Sequence, residues 1–146
     1  LDLSQDCYVK EYGYIHYRKL LVLNSGRVFT GTDVFEFSRR TKNQIKKVDN
    51  FYSYFHLHPE VEVWDHPRLQ TIILRLKNGE HWIFEIDLGQ VNVEESTFIN
   101  SFKGYPENTK RIVIKSSTLL NKTQVKWSLR RREIVSRHTR DSEISQ

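Results

Sequence analysis

The sequence predicts an all-β fold, an antiparallel two-sheet β-sandwich with a short polar C-terminal tail. Short segments rich in Val, Ile, Phe, Tyr and Trp recur between turn residues, while helical periodicity is nearly absent. Nine or ten such segments can be distinguished, a number that suits two packed sheets. With 146 residues and 38% apolar content, the chain can form one domain with a core. We expect this domain over residues 1–129 and the charged tail over residues 130–146.

Two hairpins support this strand assignment. Residues 70–76 and 81–87 flank Lys77-Asn78-Gly79-Glu80, and the Asn-Gly pair predicts a type I′ turn with two positive φ angles. Residues 14–23 and 27–36 flank Asn24-Ser25-Gly26, where glycine supplies a left-handed residue.

The remaining strands follow from short apolar segments between polar ones. Residues 37–50 are polar and basic, so we expect an exposed loop there. Pro59 separates two strands because it cannot donate to a ladder in a central strand. The strand candidates after the loop, apart from the hairpin, are residues 51–58, 61–64, 90–94, 97–101, 111–115 and 125–129.

The net charge of +5 and pI near 9.4 allow an anionic partner such as an acidic polysaccharide, a nucleic acid or a membrane surface. The excess is concentrated at the C-terminal end, on Arg130, Arg131, Arg132, Arg137 and Arg140. This favours a solvated tail. No platform of basic and aromatic residues accompanies the tail, which disfavours nucleic-acid binding. No segment is typical of a transmembrane helix or a signal peptide.

Two further features concern the chain as a whole. The single cysteine, Cys7, cannot form an internal disulfide, so it does not identify a redox compartment. The chain begins at Leu1 and contains no methionine, so we expect it to be part of a longer protein.

Histidine and aspartate side chains on three predicted strands form a candidate metal site. His16, Asp33 and His56 or His58 carry imidazole and carboxylate groups, which are ordinary zinc ligands. His56 and His58 point to the same strand face, about 7 Å apart at the backbone. The first hairpin does not place His16 directly opposite Asp33. From these residues alone, histidines that hydrogen-bond within a half-buried face are the favoured interpretation.

Other constellations are weaker. Arg18 and Lys19 beside Tyr14 and Tyr17 could bind a sulfate or uronate, with the tyrosines stacking on sugar rings, although exposed Tyr and Arg are common without a ligand. The carboxylates of Glu60, Glu62, Glu94 and Glu95 could suggest a glycosidase pair. Acidic residues at strand edges more often serve solubility, which disfavours that role.

Three motifs in this order resemble the C-terminal β-domain of the heparinase II/III-like polysaccharide lyases. They are Gly13-Tyr14-Ile15-His16-Tyr17-Arg18, Gly31-Thr32-Asp33-Val34-Phe35 and Phe55-His56-Leu57-His58-Pro59. Glu95-Ser96, Phe102-Lys103-Gly104 and Lys126-Trp127-Ser128-Leu129 add to the resemblance, which spans residues 13–129.

The resemblance implies a β-sandwich that packs against an α/α toroid, which this chain lacks. It implies a structural zinc bound by His16, Asp33 and His56, with His58 as the alternate to His56. It also implies β-elimination on a uronate-containing polysaccharide, with most catalytic groups in the toroid and a periplasmic or secreted location. Tyr14 is then the candidate catalytic residue of this domain, and Arg18 and Tyr17 are candidate substrate-binding residues. The alternative is a non-catalytic, metal-stabilised carbohydrate-binding or interaction module.

Overall fold

The computed structural model describes residues 1–38, 48–100, 104–117 and 122–132. Within these residues the chain forms ten strands and one short α-helix, which confirms the predicted all-β class. The strands are β1 (Asp2–Gln5), β2 (Tyr14–Leu23), β3 (Val28–Phe37), β4 (Asn50–His56), β5 (Glu62–His66), β6 (Thr71–Arg75), β7 (His81–Ile86), β8 (Gln90–Ile99), β9 (Pro106–Ser117) and β10 (Lys122–Arg131); the helix is α1 (Val9–Tyr12). No helix in the described part of the chain is long and apolar enough to cross a membrane.

The strands of the described residues form two antiparallel sheets. The larger sheet has the order β1-β2-β3-β10-β7-β6-β5, and the smaller sheet has the order β4-β9-β8. Both sheets contribute to one core of buried aliphatic and aromatic side chains, Ile72, Leu74, Phe84, Val91, Ile112, Ile114 and Val125. Burial of each such side chain stabilises the fold by about 1.5–3 kcal/mol relative to exposure. The predicted β-sandwich is therefore confirmed.

Alternation along β3 determines which side chains enter the sandwich. Gly31, Asp33 and Phe35 are buried, while Thr32 and Val34 between them are less so. Successive side chains on a strand point to opposite faces, so these three residues share the inner face of the larger sheet. A carboxylate therefore lies on a face that is otherwise apolar.

The hairpin of β2 and β3 is confirmed, with a loop one residue longer than predicted. Leu23 pairs with Val28 and Arg18 pairs with Asp33, so His16 lies opposite Phe35. The prediction that His16 does not face Asp33 directly is correct. Asn24, Ser25 and Gly26 all have positive φ.

The hairpin of β6 and β7 is also confirmed, but the predicted type I′ turn is wrong. Of residues 77–80, all of which the structure describes, Gly79 alone has positive φ, at 83°. The Gly79 amide donates to the Leu76 carbonyl oxygen at 2.9 Å, which closes a type I turn that ends in a left-handed glycine. Asn78 Oδ1 accepts a hydrogen bond from the Glu80 amide at 3.0 Å, which favours this local conformation.

Several strand boundaries differ from the predictions. Residues 90–94 and 97–101, predicted as two strands, form the single strand β8 over Gln90–Ile99. Strand β10 extends past residue 129 to Arg131, and the Arg130 guanidinium pairs with Glu85 at 2.7 Å. Strand β1 and helix α1 were not predicted. Residues 39–47 of the expected loop and residues 133–146 of the expected tail lie outside the described residues.

Pro59 separates β4 from β5, as predicted, and the two strands belong to different sheets. Strand β4 is an edge of the smaller sheet, and β5 is an edge of the larger one. The segment around Pro59 thus connects the two layers of the sandwich.

Candidate functional site

The candidate site is centred on Asp33, whose side chain is completely buried in the sandwich. A buried carboxylate is costly unless hydrogen bonds and an opposite charge compensate for it. The neighbouring strands supply both. Strand β2 contributes His16 and Arg18, and strand β10 contributes Trp127. We call these four residues the Asp33 network.

The Arg18 guanidinium binds the Asp33 carboxylate through two nitrogens. Nε donates to Oδ1 at 2.6 Å, and Nη2 donates to Oδ2 at 3.0 Å. Trp127 Nε1 also donates to Oδ2, at 3.0 Å. His16 Nε2 lies 2.7 Å from Oδ1, and because an ionised carboxylate only accepts, this nitrogen carries the hydrogen. Bidentate arginine–carboxylate pairs are among the stronger hydrogen-bonded contacts in proteins.

These contacts lower the pKa of Asp33. Burial acts in the opposite direction and raises the pKa, because desolvation penalises the charged carboxylate. The hydrogen bonds from His16, Arg18 and Trp127, together with the positive charge of Arg18, outweigh burial. The pKa of Asp33 therefore lies below its ordinary value, and the carboxylate remains ionised in the folded protein at neutral pH.

A glycine on β3 allows Trp127 to reach Asp33. Gly31 pairs with Trp127 across the β3–β10 ladder. A Cβ atom on Gly31 would lie 2.1 Å from the Trp127 ring, far inside van der Waals contact. The indole therefore lies across the backbone of Gly31 and directs its N–H toward the carboxylate. Gly31 and Trp127 were predicted as parts of motifs, but their pairing was not predicted.

Aromatic rings hold the polar side chains of the network in place. The His16 ring stacks on Phe35 with centroids 4.6 Å apart, and Phe35 stacks in turn on Phe51 of the opposite sheet at 4.0 Å. The Arg18 guanidinium lies over the Phe55 ring, 5.3 Å from its centroid. The Asp33 network lies in the larger sheet, and the contacts of Phe35 with Phe51 and of Arg18 with Phe55 connect it to the smaller sheet.

A cleft of about 560 Å³ opens beside this network. His16 and Arg18 line it, and their side chains are 17% and 25% exposed, whereas Asp33 is inaccessible. The other lining residues come from β1, the N-cap and last residue of α1, β3, the end of the β3–β4 connection and β4: Gln5, Tyr8, Tyr12, Phe35, Val48, Asn50, Phe51, Tyr52, Ser53, Tyr54 and His56. The cleft therefore combines a cation, an imidazole and several tyrosines, which suits a polar ring-shaped ligand.

The predicted third metal ligand is not part of the Asp33 network. His56 Nδ1 lies 3.2 Å from Ser96 Oγ. His58 Nδ1 accepts the Glu60 amide at 3.2 Å, and its ring contacts Phe98. Within the described residues, no group of three His, Cys, Asp or Glu side chains is placed to hold a metal.

The carboxylate oxygens of Asp33 also do not fit a zinc ion in this arrangement. Each carboxylate oxygen accepts two hydrogen bonds from described residues, and a carboxylate offers about four lone-pair positions in total. The guanidinium of Arg18 would in addition repel a divalent cation at this position. Zinc bound by His16, Asp33 and His56 or His58 stays a prediction.

The other predicted site residues lie outside the cleft. The ring of Tyr14 packs edge-on against Phe37 and Phe51, with centroids 5.4 and 4.8 Å away. Tyr17 and Lys19 are exposed on the face of β2 opposite to His16 and Arg18. One ligand therefore cannot stack on Tyr17 while it binds Arg18 in the cleft.

Three of the four acidic residues that could have formed a glycosidase pair form ion pairs instead. Glu60 pairs with Lys77 at 2.7 Å, and Glu62 lies 3.4 Å from Arg75. Glu94 accepts from Arg111 at 2.8 Å. These pairs agree with the surface role that the sequence favoured.

Comparison with known proteins places the chain in a family. The family model described as heparinase II/III-like, C-terminal, matches residues 1–128. A separate search of curated proteins finds no match. The match covers the strands of both sheets, apart from the last residues of β10, and all four residues of the Asp33 network. The chain therefore belongs to the heparinase II/III-like family, as a C-terminal domain of that family.

Proposed function

We propose that this domain supports the substrate cleft of a protein that cleaves uronate-containing acidic polysaccharide by β-elimination, and that the domain alone is not catalytic. The cleft beside His16 and Arg18 is the observation that carries the proposal. Its cationic and aromatic lining matches the anionic groups and ring faces of such a polymer. Family membership supports the same substrate class.

The chemistry of β-elimination defines what the parent protein, the longer protein of which this domain would be a part, must provide. A base removes the proton α to the uronate carboxylate, polar groups neutralise that carboxylate, and an acid protonates the departing glycosidic oxygen. Arg18 is held at the wall of the cleft by Asp33, which offsets its charge and binds its Nε and Nη2. Its Nη1, which does not bind Asp33, is positioned to donate hydrogen bonds to a uronate or sulfate group. The remaining acid–base groups would come from the toroidal domain that the family resemblance implies.

His16 is better placed than Tyr14 for any contribution of this domain to proton transfer. His16 lines the cleft, and its Nε2 is engaged by Asp33, which fixes the tautomer and leaves Nδ1 as the basic nitrogen. Tyr14 packs against Phe37 and Phe51 instead. Within this proposal, His16 replaces Tyr14 as the candidate catalytic residue.

Two measurements on the purified chain test the proposal. Isothermal titration with heparan sulfate and alginate oligosaccharides should show binding that weakens with added salt, because the ligand is polyanionic. Ultraviolet absorbance of the unsaturated uronate product should not increase during the same incubation. Product formation by the isolated chain would contradict its non-catalytic role, and absence of binding to every acidic polysaccharide would contradict the substrate class.

The second candidate function is a non-catalytic carbohydrate-binding or interaction module. Exposed tyrosines on the smaller sheet, Tyr52 and Tyr54, favour it. Assaying the full-length parent distinguishes the two candidates. Binding without any unsaturated product from the full-length protein would favour the module, whereas product formation would favour the lyase.

A further inference from the structure

We infer that the polysaccharide-binding cleft extends over the edge strand β4 onto the outer face of the smaller sheet, with Tyr52 and Tyr54 at the border between the two. The identity of the ligand, an acidic polysaccharide, rests on the proposed function. The location of the surface rests on the geometry of β4, β9 and β8.

Alternation along the edge strand β4 produces an aromatic stripe. Phe51 and Phe55 point into the sandwich, where they contact rings of the larger sheet. Tyr52, Tyr54 and His56 therefore point outward. The two tyrosines are 48% and 45% exposed, and their rings are nearly parallel, with centroids 6.4 Å apart. Half-exposed rings in a row offer apolar surface that can contact the C–H groups of successive sugar rings.

The neighbouring strands place charged and polar groups beside this stripe. Lys115 pairs with Tyr52, and Arg111 pairs with His56, across the β4–β9 ladder. The Arg111 guanidinium lies over the Tyr54 ring, 4.6 Å from its centroid, which holds the ring in its orientation. Strand β8 adds two exposed amide side chains. Gln90 lies in the same cross-strand row as Tyr52, and Asn92 lies in the same row as Tyr54. Amide groups supply both donors and acceptors for sugar hydroxyls.

The composition of this face favours an anionic saccharide over a protein partner. Protein interfaces have a core that is apolar and depleted of charge. Here the row of Tyr52 contains Lys115 and Gln90, and the row of His56 contains Arg111 and Glu94. The row of Tyr54 contains Asn92 beside the buried Val113. Glu94 offsets Arg111 at 2.8 Å, which leaves the charge of Lys115 available to a uronate or sulfate.

The stripe also borders the cleft. Tyr52, Tyr54 and His56 line the cleft together with His16 and Arg18, because the cleft follows the edge strand β4. A polymer bound beside Arg18 would thus continue over β4 onto the outer face. This continuity distinguishes the surface from isolated exposed tyrosines elsewhere on the molecule.

The test compares variants of the purified chain by isothermal titration with one acidic oligosaccharide that the wild type binds. The double variant Tyr52→Ala/Tyr54→Ala should bind about tenfold or more weakly, because it removes both stacking rings. Tyr52→Phe/Tyr54→Phe should retain most of the affinity, since the rings remain. Lys115 does not line the cleft, so Lys115→Gln separates the outer face from the cleft. This variant should bind several-fold more weakly with a smaller salt dependence, and unchanged binding would contradict a contribution of the outer face. Tyr105→Ala, which removes a 55% exposed tyrosine outside this face, is the matched control and should bind as the wild type does.

Folding of each variant is checked by circular dichroism and thermal unfolding. If the wild type binds and the folded double alanine variant binds equally well, the surface is wrong while the proposed substrate class stands. If the wild type binds no acidic polysaccharide, the proposed function itself fails. If the double alanine variant instead releases the domain from the rest of the full-length parent without changing sugar affinity, the face is a protein interface and the inference is overturned.

Discussion

Asp33 shows how a single buried charge can organise a site. Its carboxylate receives hydrogen bonds from strands on both sides of β3, and these lower its pKa despite complete burial. A group whose pKa is lower in the folded state stabilises the fold above its unfolded pKa, and this stabilisation is lost as pH falls toward the folded pKa. The unfolded value is about 3.9. The Asp33 contribution is thus complete at neutral pH and declines below about pH 4.

We predict that Asp33→Asn lowers the free energy of unfolding at pH 7 by about 2–3 kcal/mol, because Arg18 loses its charged partner. The variant should also lose less stability than the wild type between about pH 4 and pH 2. Urea unfolding at several pH values measures both effects. Asp65→Asn, at an exposed position of β5, is the control and should unfold like the wild type at pH 7. If the wild type and Asp33→Asn lost the same free energy of unfolding between about pH 4 and pH 2, the lowered pKa of Asp33 would be contradicted.

The Arg18 guanidinium and a zinc ion would compete for the same oxygen atoms of Asp33. Because Arg18 already supplies the positive charge, we expect chelation with EDTA to leave the melting temperature of the purified chain unchanged. Thermal unfolding with and without chelator, together with elemental analysis, provides the measurement. A lower melting temperature after chelation, with zinc near one per chain that disappears in His16→Ala, would instead support the predicted zinc site.

At the scale of elements, Gly31 on β3 leaves the space that the Trp127 ring of β10 occupies. We predict that Gly31→Ala destabilises the protein by about 1–3 kcal/mol, because the new methyl group displaces the Trp127 indole from Asp33. A double-mutant cycle with Trp127→Phe measures the coupling. The smaller ring should relieve the overlap, so Gly31→Ala should cost less in that background. Additive effects of the two substitutions would contradict the proposed contact.

Short segments rich in Val, Ile, Phe, Tyr and Trp between turn residues predicted most of the strands and both hairpins, because these signals depend on local sequence alone. The Arg18–Asp33 pair was missed for a geometric reason. A loop one residue longer than expected between β2 and β3 shifts the register, and a shift of one residue changes every cross-strand partner. The type I turn at Lys77–Glu80 was missed because the Asn78 side chain competes with the conformation that Asn-Gly usually favours.

Contacts between distant strands could not be predicted in the same way. Trp127 reaches Asp33 across 94 positions of the chain, and Phe51 meets Phe35 only after the two sheets have packed. The cleft lies between α1 and β4, and α1 was not predicted, since a helix of four residues has almost no periodic pattern. Of the residues that line the cleft, the sequence identified His16, Arg18 and His56 as candidate site residues, whereas Tyr8, Tyr12, Tyr52 and Tyr54 required the structure.

At the scale of the whole molecule, β10, the central strand of the larger sheet, extends two residues beyond residue 129, where the sequence predicted the end of the β-sandwich domain. Arg130 and Arg131 pair with Ile83 and Trp82 of β7. The Arg131 amide also donates to the Arg27 carbonyl oxygen at 2.9 Å, and its guanidinium pairs with Glu80 at 3.0 Å. The first arginines of the predicted tail thus join β10 to β3 and β7.

We therefore predict different results for two truncations. A chain that ends at Leu129 should melt at a lower temperature than the wild type, because it loses the last β10–β7 pairs and two surface ion pairs. A chain that ends at Arg132 retains these contacts and should melt close to the wild type. It should also keep its affinity for acidic oligosaccharide, since Arg18, Tyr52, Tyr54 and Lys115 all remain. Thermal unfolding and isothermal titration of both truncations test this, and loss of binding in the chain that ends at Arg132 would assign the binding to the basic tail instead.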